Sequence, residues 1–416
     1  MPASAGIYRK WHEQSVALDE ALAGAAPSVL SAEGLTAEIH TALSPLRRTW
    51  TSFEQIAHGT FYQSYLWCSA WLETVGRASQ VEPVVVILRD GAHRICALLP
   101  LQIRRVGKLR ILEWLAAPSN NYGYALYHPD FVRAAATWLD ANWPALVRSI
   151  GSVDAVFLRD NPERIADITN PLTGMFTSRA ANRSYALRLS PDFASLYGRK
   201  RDGDTRRTGR KKEKALSRLG TVEFGLPQGR EETRAVIETM FAQQQGRLAE
   251  HGIHNVFGPA ERAFIHRIAE LQDESRPALA PYTLKLNGSV LAVYLGGLYK
   301  DTFWALISSL AAGPERKYSP GDIALRLSIE RCCAAGLSTY DFSAGSSRYK
   351  LSWSDDIIQL HDIIEGTTLA GAAYVAWLRG RSAAKRYIKE SDTLLRAASG
   401  LRRLLRGQTP VRPISD

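Results

Sequence analysis

Residues 282–353 constrain the fold more tightly than any other part of the chain. They read as strand, tight turn, strand, strand, helix, strand. Residues 282–286 form the first strand. Asn287-Gly288 is a two-residue hairpin turn, because both positions tolerate a positive φ. Residues 290–298 and 302–310 are apolar strands joined by a second turn at 299–301. The run Arg316-Lys317-Tyr318-Ser319-Pro320-Gly321-Asp322 then opens a helix that ends near Ala335-Gly336, and residues 338–342 make a closing strand. A glycine-bearing loop that starts a helix directly after a strand can hold a phosphate, since the first helical N–H groups have no partner within the helix.

The first half of this pattern has an echo upstream. Residues 84–88, the pair Asp90-Gly91 and residues 93–101 repeat the strand, hairpin turn, strand device. Each copy follows a helical pattern, at 62–76 and 231–248, and each ends on a strand with an acidic residue, at 154–160 and 338–342. Two equivalent α/β units of about 150 residues, an ordinary domain size, account for this economically. The expected organisation is an N-terminal extension (1–45), a first unit (46–195), a basic linker helix (196–220), a second unit (221–365), and a basic amphipathic helix and tail (366–416).

At 416 residues, with 45% apolar and 22% charged side chains, the composition is that of a globular protein. The start has no long apolar core, and no run of about 18 apolar residues occurs, so neither a secretory signal nor a membrane span is expected. Cys68, Cys96, Cys332 and Cys333 lack metal-type spacing and read as free thiols in a reducing compartment. Of the histidines only His251 and His254 stand close together, in an expected loop, so no metal site is expected. No nucleophile elbow or P-loop is present.

The net charge of +11 favours anionic partners without choosing among them. It concentrates in two places. Residues 199–218 hold ten Lys or Arg against three acidic residues and turn helical from about Arg206. Residues 376–406 carry nine Lys or Arg, with Trp377, Ala384, Ile388, Leu395, Ala398 and Leu405 spaced as one helix face. Both segments read as solvated basic helices packing one face on the body. The sharper readings are a membrane-surface helix for the tail and a groove for an acidic donor or acceptor for the linker.

The ordered blocks resemble a known group. Tyr318-Ser319-Pro320-Gly321, the helix, Tyr340-Asp341-Phe342, then Tyr349-Lys350 and Trp353 look like the second half of the GNAT-like acyltransferases of the CelD/BcsL type, associated with cellulose and exopolysaccharide biosynthesis. That group is related to the FemAB-type tandem-GNAT aminoacyltransferases. The segment 61–67 with Trp71-Leu72, residues 118–124, the basic run 207–218 and residues 241–247 fit the same order, over roughly residues 50–360. The resemblance implies a mixed-sheet α/β (α+β) fold of two tandem GNAT-like units. It implies an N- or O-acyltransferase that uses acetyl-CoA or another acyl-CoA, without a metal. The expected acceptor is an amine or hydroxyl on a sugar, polysaccharide precursor or cell-envelope component. Expected partners are acyl-CoA and that acceptor. The setting would be cytoplasmic, with peripheral contact to an anionic inner membrane or polysaccharide-synthesis machinery through the basic C-terminal helix.

GNAT folds bind acyl-CoA through an Arg/Gln-x-x-Gly-x-Gly/Ala loop. The matching positions are Arg316, Ser319 and Gly321, with Tyr318 beside them, and Ser319 replaces the first glycine. The same residues read as a plain helix start, with Ser319 as N-cap, Pro320 at the first position and Asp322 completing a capping box. Asp341 is the candidate base or orienting carboxylate, at the end of an expected central strand, or else an acceptor for N–H groups in the turn at 343–345. Tyr349 or Tyr318 is a candidate acid, and Lys350 or Arg348 a charge stabiliser. Tyr294 and Ser308 are candidate cleft residues from neighbouring strands, or ordinary packing. In the first unit, Asn121, Tyr122 and Tyr124 sit in a polar aromatic loop suited to an acceptor, or to a turn that needs left-handed residues. The first unit's nearest analogue of the Ser-Pro-Gly start is Trp143-Pro144, so only the second unit is expected to bind the donor. Two other readings are a non-catalytic tandem scaffold module and an aminoacyl-tRNA-dependent transferase.

Overall fold

The computed structural model describes residues 28–32, 34–250, 257–273, 277–345 and 347–390, the side chains of 28–32 and 381–390 excepted. His251, His254 and the tail positions Leu395, Ala398 and Leu405 lie outside the described residues. The strands in chain order are β1 (Ser28–Ala32), β2 (Leu35–His40), β3 (Glu82–Asp90), β4 (Ile95–Val106), β5 (Leu109–Trp114), β6 (Leu126–Tyr127), β7 (Ala155–Pro162), β8 (Arg164–Ile165), β9 (Ile168–Thr169), β10 (Ser178–Arg188), β11 (Val222–Gly225), β12 (Leu279–Leu286), β13 (Ser289–Tyr299), β14 (Thr302–Leu310), β15 (Thr339–Ala344) and β16 (Asp356–Gly366). One 14-stranded mixed sheet runs β1-β2-β3-β4-β5-β7-β16-β10-β15-β14-β13-β12-β11, with β6 beside β4.

The sheet is built twice from one plan. In the first unit β2 to β5 pair antiparallel, then β5 runs parallel to β7. The crossover is the helix Val132–Ile150. In the second unit β11 to β14 pair antiparallel, then β14 runs parallel to β15 across the helix Pro320–Ala334. The units are fused edge to edge: β10 pairs with both β15 and β16, and β16 returns to pair with β7. The segment ahead of residue 46 also joins the sheet, because β2 pairs with β3.

The Asn287-Gly288 turn forms as its residue types require, with φ of 49° and 78°. The upstream turn does not copy it. Asp90 Oδ1 accepts from the N–H groups of Ala92 and Arg94, His93 rather than Gly91 is left-handed, and β4 starts at Ile95.

The largest core cluster lies between the units. Trp50, Phe61, Tyr62 and Trp67 meet Met240, Phe264, Val293 and Trp304 there. Trp67 packs edge-on against Phe264 at 4.6 Å between ring centroids, worth about 0.5–1.5 kcal/mol beyond the buried area. Two adjacent glycines make this approach possible. A Cβ on Gly296 would lie 2.1 Å from Phe303 Cζ, and one on Gly297 would lie 2.5 Å from Phe61 Cδ1. The strand therefore carries an aromatic ring flat against each face.

The basic segment forms two helices, Phe193–Lys200 and Gly203–Ser217, capped by Asp192 and Asp202. The second begins three positions earlier than Arg206 because Asp202 supplies the cap. It buries Leu216 and turns Arg207, Arg210, Lys211 and Lys214 outward. The C-terminal helix Leu369–Glu390 docks through Val375 and Leu378. Trp377, expected on its packing face, is instead 55% exposed. Among the described residues no helix is long and apolar enough to cross a membrane.

Candidate active site

β14 and β15 pair only over Thr302–Trp304 against Thr339–Asp341, then part. A bulge helps to open them. Leu295 of β13 faces Ile307 and Gly296 faces Ala305, so Leu306 has no cross-strand partner. The gap is a cavity of about 250 Å³ walled by residues 305–308 of β14 and 342–344 of β15. Asn121, Gln244, Phe257, Tyr294, Tyr349 and Lys350 complete it.

Asp341 stands where the strands part and is buried. Its Oδ1 accepts from the Tyr122 hydroxyl at 2.7 Å and from the Ser343 N–H at 2.6 Å. Burial raises its pKa to about 6, against the opposing pull of these two donors and the Lys350 charge. Lys350 comes from the short helix Arg348–Trp353 and donates to Ser343 O and Ala344 O at 3.3 and 2.8 Å. Burial lowers its pKa to about 8, with the Asp341 charge working the other way. A carboxylate able to take a proton and an ammonium able to give one near neutrality thus influence each other where the strands part.

Ser343 sits beside them in a left-handed conformation, φ 62°. Its Oγ bonds Ala305 O at 2.5 Å, bridging the parted strands, and pairs with the Tyr62 hydroxyl at 3.0 Å. Tyr62 in turn accepts from Asn121 Nδ2 at 2.7 Å. Tyr62, Tyr122 and Trp304 meet edge-on as a triangle of rings, with centroids 5.7–6.1 Å apart. Trp304 Nε1 is buried in that floor with no hydrogen-bond partner among the described residues, which costs about 1–3 kcal/mol.

The first unit has the equivalent parting but not the gap. β5 and β7 pair at Ile111–Ala155 and Leu112–Val156. Beyond that, Trp114 Nε1 donates to Asn161 Oδ1 and the Gly123 N–H donates to Asp160 O. A Cβ on Gly123 would lie 2.2 Å from Trp114 Nε1 and 2.3 Å from Arg159 O, so only glycine threads this space. The loop that fills the first unit's gap turns Asn121 and Tyr122 toward the second unit.

The helix start differs from the sequence expectation. Ser319 is left-handed (φ 54°), and its side chain makes no cap bond; no Ser319–Asp322 capping box forms. The cause is the 3₁₀ turn Pro314–Tyr318, which must reverse at Ser319 before the helix can begin. Ser319 Oγ instead accepts from Lys212 Nζ of the basic helix at 2.7 Å. A Cβ on Gly321 would touch only Leu310 Cδ1, at 3.9 Å. Trp143-Pro144, taken as the first unit's counterpart, lies inside the helix Val132–Ile150. The segment before that helix is His128-Pro129.

The structure therefore brings Lys350, Tyr349, Tyr294, Ser308 and Asn121 to one cleft, with Asp341 and Tyr122 buried together beside it. Ser319 and Gly321 stand at the helix start. It separates four others. Tyr124 is fully buried in the first unit's core, edge-on to Tyr127, so it has no route to an acceptor. Arg316 pairs with Glu250 at 3.1 Å and borders a different cavity of about 270 Å³. Tyr318 packs on the cluster around Leu216, with Lys317 over its ring. Arg348 is exposed and outside the cleft lining. Sequence reasoning missed Ser343, Trp304, Tyr62 and Lys212. Only Tyr62 and Lys212 lay in segments the resemblance had marked.

Residues 203–351 match the family of the acetyltransferase (GNAT) domain. The match covers the basic helix, the strands β11 to β15 and the cleft residues of the second unit. A search of curated proteins by sequence finds no match. Among solved structures the chain is similar to FemX, with a TM-score of 0.54 at 10% identity, covering 76% of this chain and 95% of that one. A protein of unknown function from Bacteroides thetaiotaomicron VPI-5482 gives a TM-score of 0.48 at 13% identity, covering 79% and 99%. The C-terminal domain of a putative lysylphosphatidylglycerol synthetase from Agrobacterium fabrum gives 0.46 at 9%, covering 78% and 93%. The fold is a mixed α/β, tandem GNAT-like one.

Proposed function

We propose that this protein is an acyltransferase whose donor, an acyl-CoA thioester such as acetyl-CoA, lies between β14 and β15. The supporting observation is the parting of two parallel strands at Asp341, with Lys350 beside it. In this reading the acceptor amine or hydroxyl attacks the thioester carbonyl carbon. Its proton passes to the Asp341 carboxylate, the C–S bond breaks, and the leaving thiolate takes a proton from Lys350 or Tyr349. Backbone N–H groups of β14 near the Leu306 bulge would polarise the carbonyl. Phosphates of the donor would meet the helix start at Gly321, with Lys212 alongside.

The acceptor proposed is an amine or hydroxyl of a saccharide or cell-envelope component, entering past Asn121 and Tyr349; the CelD/BcsL resemblance supports this choice. Titration calorimetry with acetyl-CoA tests the donor. Binding that is lost in Gly321→Val supports the reading, and no binding of any CoA thioester ends it. A second reading is a donor carried on RNA. It is favoured by the outward basic face of the Gly203–Ser217 helix, with Arg207, Arg210, Lys211 and Lys214 exposed. Salt-sensitive RNA binding without CoA binding would select it.

A further inference from the structure

The first unit has closed its own strand gap with a loop, and that loop reaches into the other unit's cleft. We propose that this loop, residues 119–124, is a positioning element of the second unit's site, with Tyr122 orienting the Asp341 carboxylate. The catalytic use of Asp341 rests on the donor reading above; the positioning itself stands on geometry.

Gly123 fixes the path. It is wedged between Trp114 and Arg159, and its N–H is tied to Asp160 O. The neighbouring residue has no freedom to withdraw. Ser119 accepts from Trp71 Nε1 at 2.9 Å and Asn120 accepts from Trp67 Nε1 at 2.7 Å, so the loop is pinned on its other side too. Tyr122, 1% exposed, projects from this rigid support and donates to Asp341 Oδ1 across the boundary between the units. The second donor to the same oxygen, the Ser343 N–H, comes from β15 itself, two residues on from Asp341. With one donor from each unit, Oδ1 is saturated and the carboxylate is held in a single rotamer. In the donor reading the acceptor's proton goes to Oδ2. The charged or titratable groups that face Asp341 are Lys350 from the Arg348–Trp353 helix, Tyr122 from the loop and Tyr62 from the turn Phe61–Gln63. Of these, Tyr122 is the one that donates to it directly.

Tyr122→Phe removes the hydroxyl and keeps the ring in its triangle with Tyr62 and Trp304. The hydroxyl favours the ionised carboxylate, so its loss moves the Asp341 midpoint upward from about 6, by about one pH unit. Carbon-13 carboxyl NMR reads this without any ligand, with Asp341→Asn identifying the signal. The expected results are that upward shift and, in acetyl-CoA turnover, an acidic limb displaced by the same amount with KM little changed. Gly123→Ala, which pushes the loop away and leaves Tyr122 intact, should shift the midpoint in the same direction. A melting curve checks that both variants fold. An Asp341 midpoint unchanged in Tyr122→Phe overturns the proposal. If the midpoint moves but the wild type neither binds nor turns over acetyl-CoA, the donor reading fails and the positioning stands.

Discussion

The Tyr122 hydroxyl meets Asp341 Oδ1 at 2.7 Å across 219 residues of sequence. Each residue marks the parting point of one unit's parallel strands: Asp341 at its own, Tyr122 in the loop that filled the other. Two copies of one fold have thus diverged in how they use the same gap. The first is packed shut by Trp114 and the Gly123 segment, and the second is open.

If Asp341 takes the acceptor proton and Lys350 returns one, both must be in the right state at once. Asp341 is ionised above about 6 and Lys350 protonated below about 8. The pH profile of acetyl-CoA turnover should be bell-shaped, with limbs near those values. Asp341→Asn should lower kcat by about a hundredfold or more while the protein stays folded. A profile with no acidic limb would remove Asp341 from the chemistry.

A Cβ on Gly321 would meet only Leu310 Cδ1, at 3.9 Å, so the fold has room for a larger side chain, which in the donor reading would stand where the phosphates lie. Gly321→Val should weaken acetyl-CoA binding by about tenfold or more with an unchanged melting temperature. Lys212→Met removes a cation from the same place and should weaken binding by about fivefold to tenfold, an effect that shrinks as salt rises. Calorimetry at two ionic strengths measures both.

Glu54 supports the boundary between the units and is mostly buried, its carboxylate accepting from the Tyr65 N–H at 2.8 Å. Burial raises its pKa from 4.5 to about 7, against that hydrogen bond and the Lys300 charge. The folded state therefore holds a proton that the unfolded chain releases at lower pH. Its contribution is full below 4.5 and is lost as pH rises through about 7. Glu54→Gln should gain about 2 kcal/mol on the wild type between about pH 5 and pH 8. Urea unfolding at the two pH values tests this; a constant difference would contradict it.

Gly297 lets Phe61 of the first unit lie on β13 of the second. Gly297→Ala places a methyl where the ring sits and should cost about 1–3 kcal/mol. Because the ring belongs to the shared core, the melt should remain a single transition at lower temperature. Two separate transitions would mean the units are not coupled through that core.

What was legible in the sequence was local. Asn287-Gly288 specified its hairpin, because two residues that tolerate positive φ between apolar runs leave few other choices. The strand, loop, helix, strand order from β14 to β15 was readable for the same reason. Asp341 could be placed at a strand end, though not in contact with Tyr122, since no spacing rule links residues so far apart. Tyr122 and Tyr124 looked alike in sequence. The turn at Gly123 sends them to opposite sides, one to the second unit and one to the first unit's core. Ser319 misled because Ser-Pro-Gly is a good cap in isolation, and the preceding 3₁₀ turn overrides it. Lys212 was visible only as one charge in a basic run. Its contact with Ser319 depends on how the Gly203–Ser217 helix packs.

The central claim is that the cleft between β14 and β15 receives the acyl donor. Amide hydrogen exchange with and without acetyl-CoA tests it most directly. The account predicts added protection at residues 305–308, 342–344 and 316–322 and at Asn121 beside them, and none beside the filled gap at 111–115 and 155–161. Protection centred on the first unit, or no change at saturating acetyl-CoA, would contradict it.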